Sequence, residues 1–118
     1  MSELTTLPIS HATLGALQVV TPEGSLTHPH APALKAALDQ AASGHEPLVA
    51  LNLQSVSFMD SATLQVIVDA VRALQAKGGR LKLVRPNDVC LDILRATRLL
   101  FEVEVCKDLN EAVKNGGA

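Results

Sequence analysis

The chain places an acid and a hydroxyl side by side at Asp60-Ser61, within the stretch Ser55 to Ala70, "SVSFMDSATLQVIVDA". A hydrophobic run leads into the pair and a helix-like pattern follows it. Asp and Ser are both favoured at helix starts, because a side-chain oxygen there accepts an otherwise orphaned backbone N–H. The pair also follows what reads as a central parallel strand, and open α/β sheets place functional groups in the loops beyond the carboxyl ends of such strands. A phosphate on Ser61 would sit at a helix N-terminus, where free amides and the helix dipole tolerate negative charge. It would add about two negative charges without unfolding the helix. Capping and reversible modification are thus both open to this pair.

Other chemistries find less support. His28-Pro29-His30 supplies two possible metal ligands but no third at suitable spacing, so a solvated loop is expected and no metal site. Gly78-Gly79-Arg80 precedes a strand where a phosphate loop would open a helix, and it reads as a helix C-cap. The chain has no G-x-G-x-x-G, Walker A, G-x-S-x-G or C-x-x-C pattern. No His stands in a recognisable relation to Ser61, the nearest being His45 in a connector, so a hydrolytic triad is not expected. The expectation is a protein that is not an enzyme and needs no cofactor.

Periodicity shows which elements must position Asp60-Ser61. Leu7 to Thr13 and Ala16 to Val20 have strand character, with "HATLG" between them where a hairpin turn fits. "TPEGSLTHPHAP" is dense in Pro, Gly and hydroxyl residues and reads as a loop. From Pro32 the pattern is helical, with Leu34 and Leu38 four apart and Gly44 as a stop. Leu48 to Leu53 is a nearly continuous apolar run of buried-strand type. Leu64, Ile67, Val68, Val71 and Leu74 then form a helical stripe that Gly78-Gly79 terminates.

"RLKLV" is the next strand, closed by Pro86, and Asn87 or Asp88 caps a helix carrying Val89, Cys90, Ile93 and Leu94. "FEVEV" alternates Phe101, Val103 and Val105 against two glutamates, as in a strand with one wet face. Asp108 to Glu111 has capping-box spacing before a last helix ending at Asn115-Gly116. The order β-β-α-β-α-β-α-β-α predicts one α/β domain over residues 1–118, with a mostly parallel central sheet and one antiparallel edge strand.

The bulk numbers narrow the setting. The 118 residues are 47% hydrophobic and 19% charged, and the only aromatics are Phe58 and Phe101, so the core must be aliphatic. A net charge of -2 and the absence of Trp and Tyr argue against nucleic-acid binding. The opening residues lack a basic n-region and a long apolar core, no stretch is long enough to span a membrane, and Cys90 and Cys106 suit ordinary core thiols. A cytoplasmic protein without membrane insertion is expected.

The segment from Leu48 to Val84 resembles the central part of STAS domains, specifically the anti-sigma factor antagonists. The resemblance rests on Leu51-Asn52-Leu53, Phe58-Met59-Asp60-Ser61, Lys77-Gly78-Gly79 and Leu81-Lys82-Leu83-Val84. "EGSLTHPHAPALKAAL" is similar to the family's "G-E-L-D" loop and first helix, and "ILRATRLLFEVEVCKDLNEAV" to its C-terminal helix–strand–helix. Such a resemblance implies a regulatory protein that binds an anti-sigma factor, itself a serine kinase, and thereby frees a sigma factor. It implies phosphorylation at Ser61 by that kinase, loss of the complex, and restoration by a PP2C-type phosphatase. Asp60, Ala62 and Thr63 in the first turn of the helix, with Gly24, Ser25, Thr27 and His28 in the loop, are then the expected partner-binding residues.

Ala62 and Thr63 stand where the family has Ser and Gly, Ser25 and Thr27 stand where it has acids, and Arg98 stands where it has Gly. Two other roles are known for STAS-like domains. One is as a subunit of a lipid-transport ABC complex that contacts the ATPase without a phosphorylation switch. The other is as a ligand-sensing module, which ranks lower here because the chain has no base-stacking aromatic or phosphate loop.

Overall fold

The computed structural model describes residues 9–116, with side chains through Lys114. Strands β1 (Ile9–Leu14) and β2 (Leu17–Pro22) form an antiparallel hairpin, and a short strand β3 (Gly24–Leu26) follows. A 3-10 turn (His28–His30) leads into helix α1 (Ala31–Ala41), then strands β4 (Leu48–Asn52) and β5 (Val56–Met59). Helix α2 (Ser61–Ala76), strand β6 (Arg80–Val84) and helix α3 (Asp88–Arg95) come next. A second 3-10 turn (Leu99–Phe101), strand β7 (Glu104–Cys106) and helix α4 (Leu109–Gly116) complete the described chain.

The main sheet has the order β1-β2-β4-β6-β7, parallel throughout except for the β1–β2 pair at its edge. This is the expected architecture. The hairpin differs in detail, since β1 runs on through "HATL" and the turn is only Gly15-Ala16, with Gly15 at φ 62°. The first two residues of the expected opening strand, Leu7 and Pro8, lie outside the described residues.

Each central strand is apolar on both sides because both faces are covered. Val49, Leu51, Leu81 and Leu83 face α1, α2 and α3 in the larger core, with Leu34, Leu38, Ile67, Val71, Leu74 and Leu94. Ala50, Val84, Leu17, Val19 and Cys106 face α4 through Ala112. Lys82 shares this second face and is 1% exposed. Its ammonium donates to the Ala112 carbonyl at 2.9 Å and lies 3.6 Å from the Glu104 carboxylate.

Two adjacent glycines end α2 for different reasons. Gly78 adopts φ 75°, and the Gly79 amide closes the helix end on the Leu74 carbonyl at 2.8 Å. Gly79 instead allows close approach, because a Cβ there would lie 2.3 Å from the Pro47 carbonyl oxygen.

The expected "FEVEV" strand is shorter and differently phased. Thr97 accepts the Leu99 amide at 3.0 Å and donates to the Leu94 carbonyl at 2.8 Å, so the chain keeps turning after α3. Phe101 is carried outward on that turn and is 88% exposed. The strand begins at Glu104, and Cys106 is its buried residue while Val105 is exposed.

Candidate functional site

Asp60 and Ser61 stand where β5 meets α2. Strands β3 and β5 pair in parallel as a separate two-stranded sheet, with Ser25 opposite Phe58 and Leu26 opposite Met59. The segment read as a loop from Gly24 therefore includes a strand bound beside the approach to Ser61. The Gly24 amide donates to the Ser55 carbonyl at 2.9 Å, and the Asp60 amide to the Leu26 carbonyl at 3.0 Å. Gly24 adopts φ 99°, which suits glycine where the chain enters this short strand.

Asp60 is the N-cap of α2. One carboxylate oxygen accepts the Thr63 amide at 3.0 Å, and the other accepts the His28 amide at 2.7 Å. One side chain thus ties the head of α2 to the His28–His30 turn, across 32 positions of sequence. The Thr63 amide is the main cause that holds the Asp60 carboxyl below its ordinary value, helped by the Thr63 hydroxyl, the His28 amide and the His28 charge, against partial desolvation. Asp60 is ionised at neutral pH and committed to internal donors.

The His28–His30 turn has its own brace. The Thr27 amide donates to the His30 Nδ1 at 3.3 Å, and the Thr27 hydroxyl lies 3.2 Å from the same nitrogen. His30 thereby takes the part that Glu plays in a capping box. Thr27 and His30 are structural groups, and His28 is the exposed imidazole of the turn.

Ser61, the first residue of α2, is exposed, and Ala62 is half-buried. Thr63 is not on the exposed first turn that the sequence suggested. It lies 1% exposed on the same stripe as Ile67, Val71 and Leu74, because positions 63, 67, 71 and 74 share one side of the helix. Its hydroxyl is buried without a partner at hydrogen-bond geometry among the described residues, near enough to Asp60 only to help hold that carboxyl below its ordinary value. Of the expected binding residues, Gly24, Ser25, His28 and Ser61 are exposed, and Asp60, Ala62 and Thr27 are half-buried.

Two contributors were not read from the sequence. Phe58 is 40% exposed opposite Ser25, although the aromatic pair was expected only to bear on core composition. Asn87 caps α3 by accepting the Cys90 amide at 2.8 Å, as expected, and also donates to the Val56 and Ser57 carbonyls at 3.2 and 3.3 Å. The capping role was legible in its position, whereas the tie to β5 depends on tertiary structure.

The sequence profile of the STAS domain matches residues 9–112. The fold is similar to a Thermotoga maritima protein described as a candidate anti-sigma factor antagonist, at 24% identity, 93% of this chain, 95% of that one and TM-score 0.85. It is similar to an anti-sigma factor antagonist from Mycobacterium paratuberculosis at 18% identity, with 97% of both chains covered and TM-score 0.85. It is also similar to the phosphorylated form of the Bacillus cell fate determinant SpoIIAA, at 20% identity, 92% of this chain, 99% of that one and TM-score 0.73. No curated protein sequence matches the chain.

Proposed function

The chain belongs to the STAS domain family, and on that premise we propose that it is an anti-sigma factor antagonist switched by phosphorylation of Ser61. The observation that carries this reading is an exposed hydroxyl on the first residue of α2, beside an acid whose oxygens are already engaged by amides. Ser61 is open to a kinase, while Asp60 holds the helix start and the neighbouring turn. In the unmodified state Ser61, with Gly24, Ser25 and His28, forms a surface of hydroxyl, backbone and imidazole groups for an anti-sigma factor that is also a serine kinase.

That kinase transfers the γ-phosphoryl group of ATP. A bond forms between the Ser61 oxygen and phosphorus, the bond to the ADP leaving oxygen breaks, and the hydroxyl proton passes to a base of the kinase. The dianion left on Ser61 adds charge at a close-packed contact, where desolvation and repulsion weaken the complex. A PP2C-type phosphatase reverses the change when the oxygen of water attacks phosphorus, releasing inorganic phosphate and restoring the hydroxyl. All of these steps belong to the cytoplasm.

The test is recovery of the native protein with its partners, followed by intact-mass measurement of the whole pool. The reading expects a kinase-type partner and a phosphorylated fraction that Ser61→Ala abolishes without loss of binding. Ser61→Asp should weaken kinase binding by about tenfold or more. Recovery with an ABC ATPase and only unmodified protein would overturn the proposal in favour of a transporter subunit.

A further inference from the structure

We propose that His28 is the intramolecular counter-ion of a phosphate on Ser61, so that the modified state is held by a charge pair across the two stretches of chain that form the site. The inference rests on the reading of Ser61 as the modified residue and specifies how this chain accommodates the added charge.

Three observations carry it. The His28 amide is bound to the Asp60 carboxylate at 2.7 Å, which fixes the residue beside the head of α2. Pro29 and the Thr27–His30 brace stiffen the turn, so His28 is presented on a short, restrained segment. His30 is engaged with Thr27, whereas the His28 ring is exposed and makes no hydrogen bond or ion pair among the described residues. The imidazole also lies within electrostatic range of Asp60, the residue preceding Ser61.

The charge arithmetic around Ser61 makes this position consequential. A phosphate there adjoins the Asp60 carboxylate, a like charge that disfavours the dianion. The titratable groups around His28 are Asp60 at the head of α2 and His30 in its own turn. Further along the two packed helices are Lys35, Asp39 and Asp69. Lys35 is already paired with Asp39 at 2.7 Å. With Lys35 paired to Asp39, His28 is the uncommitted basic group in this set that can offset the phosphate.

The test uses the full chain with phosphoserine genetically encoded at position 61 and a phosphorus NMR titration of its second ionisation. The wild-type background should titrate about half a pH unit below His28→Gln, as expected for one imidazolium within a few ångströms in a largely aqueous setting. His28→Lys should keep the lower midpoint. Coincident midpoints for the wild type and His28→Gln would overturn the pair, as would a lower one in His28→Gln. Matching urea midpoints of the unphosphorylated proteins show that the fold is retained, since Gln and Lys at position 28 both keep the amide that donates to Asp60. If the cognate kinase leaves Ser61 unmodified, the proposed switch falls, while the encoded phosphoserine still decides the charge pair.

Discussion

Replacing Asp60 by Ala removes two contacts at once, the 3.0 Å bond from the Thr63 amide and the 2.7 Å bond from the His28 amide. Loss of a capping side chain costs about 1 kcal/mol. A hydrogen bond to a charged group contributes more when buried, but His28 is exposed and water re-satisfies its amide, so the second contact adds about 1 kcal/mol. The expected loss is about 2 kcal/mol, which over 118 residues corresponds to about 8 °C in Tm.

Paired urea denaturation of wild type and Asp60→Ala at pH 7 and pH 3 provides the assay. Because the folded carboxyl is held below its ordinary value, its contribution is present above the unfolded value and is lost as pH falls through the folded one. The gap between the two proteins should therefore narrow below about pH 4. Asp60→Asn, which retains one acceptor oxygen, should fall between them at pH 7. A loss under about 0.5 kcal/mol at pH 7, or a gap equally wide at pH 3, refutes the double tie.

Other perturbations test the frame around the site. Lys82→Ala should cost about 3 kcal/mol, because it strips a buried cation and leaves a cavity under α4, whereas Lys82→Met should be close to neutral; chemical denaturation separates them. Gly79→Ala should lower Tm by more than 8 °C, since the new Cβ meets the Pro47 backbone oxygen at 2.3 Å and a backbone atom cannot swing aside as a side chain can. Burial, first, and the Glu104 carboxylate push the Cys106 thiol up to about 11. With the folded value raised, stability is full below the ordinary thiol range and falls as pH rises from about 9 towards 11, which urea midpoints across that range will show. The buried Cys90 and Cys106 thiols should react with an aromatic disulfide reagent at pH 8 only after unfolding.

Much of this architecture was legible because both sheet faces are buried. Near-continuous apolar strands and helical stripes then alternate with little ambiguity, as at Leu48–Asn52 and along Ile67, Val71 and Leu74. The Asp60-Ser61 junction was legible for a local reason, the chemistry of a helix start. Strands β3 and β5 were not, because they hold three and four residues and are stabilised by pairing with each other across the sequence. The bond from the His28 amide to Asp60 is equally nonlocal.

Thr63 was misplaced although its spacing from Ile67 offered a clue. A hydroxyl residue beside an exposed Ser reads as surface until its helix is packed. In the C-terminal part, the alternation of "FEVEV" was overridden by the Thr97 hydroxyl, which prolonged the turn and reset the strand's phase.

The small β3–β5 sheet has a consequence for recognition. It welds Gly24–Leu26 to Val56–Met59, so on the proposed reading a kinase acting on Ser61 meets two distant stretches of chain as one surface. The determinant is a composite epitope that exists only in the folded domain. A linear peptide spanning Ser55 to Ala70 carries the serine but neither the flanking strand nor His28. If Ser61 is the modified residue, substrate surveys built on short peptides would pass over this site.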